Sequence, residues 1–269
     1  MSSPILVTGG TGTLGRRVVP RLIAAGHHVR VLTRQDRSST DGSEMMKADL
    51  TTGEGIDAAV RDVQTVLHLA GSAKGDELKT STLVRAACAA GVRHLVYISV
   101  VGADRVPVVS AIDRAMFGYF ASKLAAERVV SESGLPWTTL RATQFHDAML
   151  TVAKQMSRMP VIPVPAGVSF QPVDTDEVAA RLVELTLGRP AGLVPDMAGP
   201  QVLAFADLLR AYLDAVGKSR IMLTVRMPGR AARAVSEGAN LARDRAVGLR
   251  TWEGFLAHAA MVGSVAVAG

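Results

Sequence analysis

Ile5-Leu6-Val7-Thr8-Gly9-Gly10-Thr11-Gly12-Thr13-Leu14-Gly15, followed by Val18, Val19, Leu22 and Ile23 at helical spacing, is the stretch that decides the fold. A short apolar run of strand length enters a glycine-rich turn, and beyond the turn the 3.6-residue period takes over. Glycines at 9, 12 and 15 suit a tight turn, a close approach of backbone to a diphosphate, and close helix–strand packing, with the phosphate resting on the helix N-terminus. A glycine triplet alone says little. Here a strand precedes it, a helix follows, and a second apolar run stands at 28–33, which is the context a dinucleotide site requires. Thr11, Thr13 and Leu14 belong to the same loop and are expected to border the same ligand.

Outward from this loop, apolar runs alternate with helical patterns. Strands are expected at Ile5–Thr8, His28–Thr33, Met45–Ala48, Thr65–Ala70, Leu95–Ser99 and Trp137–Arg141. Helices are expected at about 13–25, 55–62, 76–90 and 114–133, three of them closed by Gly26, Gly91 and Gly134, where a C-terminal glycine belongs. The alternation predicts an α/β fold, a Rossmann-type doubly wound parallel sheet. Beyond residue 150 a Pro-rich stretch, 160–165, precedes Asp174-Thr175-Asp176-Glu177, where Asp174 can cap a helix and Glu177 complete the box. Further elements are a strand near Leu193–Pro195, a helix at 205–216, a strand at Ile221–Val225 and helices near 229–239 and 251–259. We expect residues 1–150 to form the dinucleotide-binding core and 151–269 a small C-terminal substrate lobe packed on the carboxyl edge of the sheet.

Composition narrows the class. The 269 residues are 48% hydrophobic, 20% charged and 4% aromatic, an ordinary globular balance that excludes a disordered or fibrous chain. A single cysteine, Cys88, permits neither an intrachain disulfide nor a thiolate zinc site; in its Ala-rich surroundings it reads as a small buried helix residue, and a reducing cytoplasm is expected. No export signal or spanning segment is read, so no membrane partner is expected. The net charge of +6 gathers in residues 217–250, where eight basic side chains face Glu237 and Asp244. No aromatic residues interleave them as on a nucleic-acid stacking surface, so a solvated face is expected there rather than a nucleic-acid site. No metal motif is present.

Arg34 follows the second strand, nineteen positions after Gly15, with Arg37 close behind. A guanidinium there accepts the 2′-phosphate of NADP, and Thr33 could add a hydroxyl, whereas an acidic residue would select NAD. NADP is therefore expected over NAD, with Asp36 as the residue that would reverse the preference.

Several ordered motifs carry a resemblance: TGGTGTLG at 8–15, Asp49-Leu50, His68-Leu69-Ala70-Gly71, YISVVGAD at 97–104, YFASK at 119–123 and GLPWTTLRATQF at 134–145. Together they resemble the short-chain dehydrogenase/reductase superfamily, and within it the atypical NmrA-like and nucleotide-sugar-epimerase-like members. The likeness covers most of the chain and is strongest over residues 4–187. It implies that Gly9, Gly12 and Gly15 contact the pyrophosphate, that Asp49 and Leu50 meet adenine, that Ala70 and Gly71 lie along the cofactor, and that the segment holding Thr143 borders the nicotinamide. Asp49 also reads as a cap before Thr51.

Tyr119 and Lys123 lie four residues apart on one predicted helix face. A nearby ammonium favours phenolate, so Lys123 is expected to lower the pKa of the Tyr119 phenol, which could then donate its proton to a substrate carbonyl while the lysine also holds the nicotinamide ribose. The resembled enzymes pair these two with a serine or threonine; Ser99 is the hydroxyl this chain offers, a strand-end structural role being its other reading. Arg141 ends a strand and either pairs with an acidic neighbour or faces an anion. His146 reads as a satisfied structural histidine, and Met149, Met156 and Met159 as core or pocket wall. The leading expectation is an NADP-dependent oxidoreductase acting on a small-molecule carbonyl or related electrophile. The alternatives are a cofactor-binding redox sensor that reports to a protein partner and a nucleotide-sugar epimerase-like isomerase.

Overall fold

The computed structural model describes residues 3–35, 42–71, 75–261 and 263. The chain divides into two compact units: Met1–Ser99 with Gly118–Arg141 and Thr175–Pro195, and Val100–Phe117 with Ala142–Asp174 and Asp196–Gly269.

The first unit is built on a seven-stranded sheet. Its strands are β1 (Ile5–Thr8), β2 (Val29–Thr33), β3 (Glu44–Lys47), β4 (Thr65–His68), β5 (His94–Val100), β6 (Trp137–Ala142) and, from later in the chain, β9 (Gly192–Leu193), in the order β3-β2-β1-β4-β5-β6-β9. β1 pairs in parallel with β2 and β4, β2 with β3, β4 with β5, and β6 with β9. The winding reverses between β1 and β4, and ligands of such sheets bind in the crevice beyond the strand ends at that reversal. This is the expected doubly wound Rossmann-type sheet.

Helix α1 (Gly15–Ala24) buries Gly15, Val18, Val19 and Leu22, one stripe at helical spacing, and it packs against α6 (Thr175–Leu187). Arg17 and Arg21 both pair with Asp176 of α6. Short α2 (Ile56–Ala59), α3 (Asp76–Ala89) and α4 (Ala111–Ser131) supply Ile56, Leu83, Val84, Ala126 and Val130 to a core shared with Leu6, Val66 and Leu95. Gly26, Gly91 and Gly134 adopt positive φ as helix terminators.

The second unit holds α5 (His146–Met156), α7 (Phe205–Ala215), α8 (Arg230–Ser236) and α9 (Trp252–Met261), with two small sheets. Strand β8 (Ser169–Phe170) pairs antiparallel with β10 (Leu203–Ala204), and β7 (Val161–Pro165) pairs parallel with β11 (Ile221–Val225). Its core gathers Met149, Ile162, Leu208, Tyr212 and Phe255 around Trp252, whose indole N–H donates to the Leu208 carbonyl at 3.1 Å.

One strand was not expected, and three expectations are corrected. The Pro-rich 160–165 stretch is strand β7: Ile162 and Val164 turn inward, and the prolines take the alternate positions of a strand with a single partner, where a missing N–H is tolerated. Helix α4 begins at Ala111 rather than 114, because Ser110 and Asp113 cap it reciprocally, with the Asp113 N–H donating to the Ser110 hydroxyl and the Ser110 N–H to the Asp113 carboxylate, each at 3.0 Å. Cys88 is exposed, since it falls outside the Leu83–Val84–Ala87 stripe of α3, and its thiol donates to the Ser133 carbonyl. His146 is fully buried but not satisfied. Its ring stacks on Phe255 at 4.9 Å, neither nitrogen has a hydrogen-bond partner among the described residues, and the Asp174 carboxylate at 4.0 Å is too distant for one.

Candidate functional site

The glycine loop lies where β1 and β4 end side by side. Gly9 has φ +67°, and a Cβ there would stand 2.7 Å from the Ala70 nitrogen; a Cβ at Gly15 would stand 2.3 Å from the Gly9 carbonyl oxygen. The two glycines therefore bring the β1 end, the β4 end and the start of α1 closer together than any side chain permits. Gly12 and Thr13 are exposed, whereas Leu14 and Gly15 are buried. Among the described residues no side chain caps the N-terminus of α1, and no acidic residue occupies its first turn. A bare, uncapped helix start behind an exposed glycine is a cradle that fits a diphosphate. The Thr11 and Thr13 carbonyls accept from Arg16 and Arg17, each at 2.9 Å, which fixes the loop from its outer side.

At the end of β2, Thr33 is buried with its hydroxyl exchanging hydrogen bonds with Gln35, and Arg34 is exposed. Asp36 and Arg37 lie outside the described residues. Past β3, the Asp49 carboxylate accepts from the Thr51 N–H at 2.7 Å, and that bond above all, with Arg34 nearby, holds its pKa below the usual carboxylate range. The cap before Thr51 is thus present. Leu50 is buried beside it.

Beneath the β4 end runs a buried polar chain. His68 lies between the Thr8 hydroxyl at 2.6 Å and the Thr80 hydroxyl at 3.1 Å, and burial pushes its pKa down to about 3, so the ring stays neutral. It stacks on Tyr97 of β5, ring centroids 5.4 Å apart. The Lys123 ammonium donates to the Tyr97 hydroxyl and to the Ile98 carbonyl, both at 3.3 Å, and forms an ion pair with Asp76 at 3.1 Å. Gly71 covers this pair; a Cβ there would stand 3.0 Å from the ammonium nitrogen.

Tyr119 keeps 41% of its surface exposed, and its ring centroid is 5.9 Å from that nitrogen. The expected lowering of its pKa is reversed: desolvation, then the negative Asp76, push the phenol up to about 12. The lysine is already neutralised by the aspartate, so its field does not favour phenolate. At neutral pH the phenol therefore carries its proton. Ser99, next to last in β5 and beside Ile98, is buried, and its hydroxyl has no hydrogen-bond partner among the described residues. Arg141 pairs with Glu127 at 2.6 Å, the first of the two readings given to it. Thr143 belongs to the second unit, where its hydroxyl donates to the Gln171 carbonyl.

Sequence reasoning missed Asp76, Tyr97 and Thr80. A signal existed for the first, because Asp76, Thr80, Leu83, Val84 and Ala87 form the buried stripe of α3, and a carboxylate on such a stripe must have a partner. Among the described residues no group of three or more His, Cys, Asp or Glu could hold a metal ion, and no helix is long and apolar enough to cross a membrane. In the basic segment, Arg233 pairs with Glu237 and Arg250 with Asp174. A gel-shift titration with single- and double-stranded nucleic acid at low salt is expected to show no salt-sensitive complex; a retarded band lost on raising the salt would restore a nucleic-acid role.

Residues 9–186 match a protein family described as NAD(P)H-binding. Over 235 residues the chain is 26% identical to a chloroplastic Arabidopsis thaliana protein named for a high chlorophyll fluorescence phenotype, a match covering 82% of this chain and 58% of that protein's length. It is 31% identical over 204 residues to a (4-alkanoyl-5-oxo-2,5-dihydrofuran-3-yl)methyl phosphate reductase of Streptomyces griseus, covering 74% and 69% of the two. The crystal structure of an NADPH-dependent quinone oxidoreductase from Escherichia coli, complexed with NADPH, shares the fold with a TM-score of 0.79 at 19% identity, covering 94% of this chain and 99% of that one.

Proposed function

We propose, because this chain belongs to the NAD(P)H-binding family, that it is an NADPH-dependent oxidoreductase reducing a small carbonyl compound or a related electrophile. The observation that carries the reading is the exposed, protonated Tyr119 phenol standing over the buried Lys123–Asp76 pair in the same unit as the glycine cradle. The reductase name of the Streptomyces relative supports the same reaction class.

Gly9, Gly12 and Gly15 would hold the diphosphate at the α1 N-terminus, Thr33 and Arg34 the 2′-phosphate, Asp49 and Leu50 the adenine, and Ala70 and Gly71 the remainder of the nucleotide. The bound nicotinamide supplies a hydride. Tyr119 then donates its phenolic proton to the substrate oxygen as negative charge develops there, and Ser99, buried without a partner, offers that oxygen a second hydroxyl.

Turnover is tested by following NADPH absorbance with a panel of quinones, aldehydes and enones. Tyr119→Phe is expected to lower kcat by roughly 100-fold or more with NADPH binding within about twofold; unchanged turnover refutes the proton-donor role. Arg34→Asp is expected to weaken NADPH on the order of 50-fold and NADH by far less, measured by calorimetry, because a repulsive charge replaces a phosphate clamp. Equal losses for both coenzymes refute the 2′-phosphate assignment. A second reading, a cofactor-binding sensor without turnover, draws on the hydrogen bonds of Lys123 to Tyr97 and Ile98 and its ion pair with Asp76; NADPH binding with no activity across the panel would establish it.

A further inference from the structure

We propose that Asp76 is a positioning residue: its carboxylate holds the Lys123 ammonium between Tyr97 and Gly71, so that the cation is withheld from Tyr119. The proposal rests on Tyr119 as proton donor for its functional meaning and on geometry for its substance.

Asp76 opens α3 and Lys123 lies mid-way along α4, each on the buried face of its helix, at 1% and 4% exposure. Neither charge would be tolerated there alone; an isolated buried ion costs several kcal/mol, so each is the condition for the other. An ammonium has three donor directions. Two of them go to the Tyr97 hydroxyl and the Ile98 carbonyl, each at 3.3 Å, and the Asp76 carboxylate stands 3.1 Å away as the ion-pair partner. The nitrogen also lies nearer the Tyr97 ring centroid, 5.0 Å, than that of Tyr119, 5.9 Å.

Two further contacts hold the arrangement. The Asp76 backbone N–H donates to the Ser122 hydroxyl at 3.2 Å, tying the start of α3 to the turn of α4 that carries Lys123. Gly71 closes the space above, where a side chain would press on the ammonium. Among the described residues, the other titratable groups facing the pair are Tyr97 on β5, neutral His68 on β4, and Glu127 on α4, the last paired with Arg141. Asp76 is thus the anion that acts on the Tyr119 phenol, and it disfavours phenolate directly as well as by neutralising the cation.

The sign of the test follows. Asp76→Asn removes the carboxylate charge that disfavours phenolate, and the sign is the same whether the Lys123 left behind keeps or sheds its proton. Phenolate formation is followed by ultraviolet difference absorbance during an alkaline titration of the full chain without cofactor. Subtracting the same titration in a Tyr119→Phe background isolates Tyr119 from Tyr97 and Tyr212. We expect the Tyr119 transition to move down by about one pH unit or more in Asp76→Asn, a tenfold or greater rise in its acid dissociation constant, and to return in Asp76→Glu. If Asp76→Asn fails to fold, Asp76→Ser, which also removes the carboxylate and keeps Lys123, carries the same expectation. A Tyr119 transition unmoved in every folded variant lacking the carboxylate overturns the proposal and makes Asp76 a structural residue only. The titration needs neither coenzyme nor substrate. Absence of turnover would therefore refute the oxidoreductase reading and leave this result standing, and an unmoved phenol would do the reverse.

Discussion

Alanine in place of Gly15 is expected to abolish NADPH binding and to lower the melting temperature by roughly 10 °C. Its Cβ would stand 2.3 Å from the Gly9 carbonyl oxygen and 2.4 Å from the Gly10 Cα, both backbone atoms that cannot rotate aside. Relief requires the loop to lift from the first turn of α1, carrying with it the exposed Gly12 and Thr13. Overpacking of this kind costs about 3 kcal/mol where backbone must move, and a chain of this size loses about 2–4 °C per kcal/mol. Gly12→Ala provides the contrast. Its Cβ meets only the Gly9 oxygen, at 3.2 Å, so the fold should survive within about 3 °C while NADPH binding falls, because the methyl group occupies the cradle itself. Calorimetric titration and thermal melting of the two variants check both statements; wild-type NADPH affinity in Gly15→Ala would refute the loop as the diphosphate site.

Lys123→Met should be the second damaging change. It leaves the Asp76 carboxylate 1% exposed and without its cation, and removal of one member of a buried pair costs about 3–5 kcal/mol. Asp76→Asn should cost a similar amount for the mirror reason. The double variant should cost clearly less than the sum, since it leaves no unpaired charge, and the coupling read from a urea double-mutant cycle should exceed about 1 kcal/mol. The coupling should also persist in high salt, because mobile ions do not reach a pair buried this deeply. Additive losses would mean that the two side chains do not depend on each other.

Much of the first unit was legible from residues alone. Strands β1, β2 and β4, the glycine turn and the stripe of α1 are readable because their signals are local: apolar runs, a period of 3.6, and backbone that only glycine permits. The family resemblance drawn from the same motifs agrees with the match over residues 9–186. Elsewhere local signals misled or fell silent. The prolines of β7 hid a strand whose partner, β11, comes much later in the chain. The Ser110–Asp113 box starts α4 a turn before its apolar pattern suggests. The small neighbours of Cys88 say nothing about the face of the helix it occupies, and the aromatic pocket around His146 offers no partner that its spacing could reveal.

The candidate site divides along the same line. Sequence alone determined that a glycine cradle follows the first strand, that a cation stands near the end of the second, and that Tyr119 and Lys123 share a helix face, because each depends on spacing within one element or its immediate neighbour. Only the tertiary structure decided what the lysine does. The aspartate that neutralises it comes from another helix and the tyrosine that binds it from a strand, and their joint effect raises the Tyr119 pKa where spacing predicted a fall. Charge–charge energies fall with distance and grow with burial, and neither quantity can be read until the chain has folded.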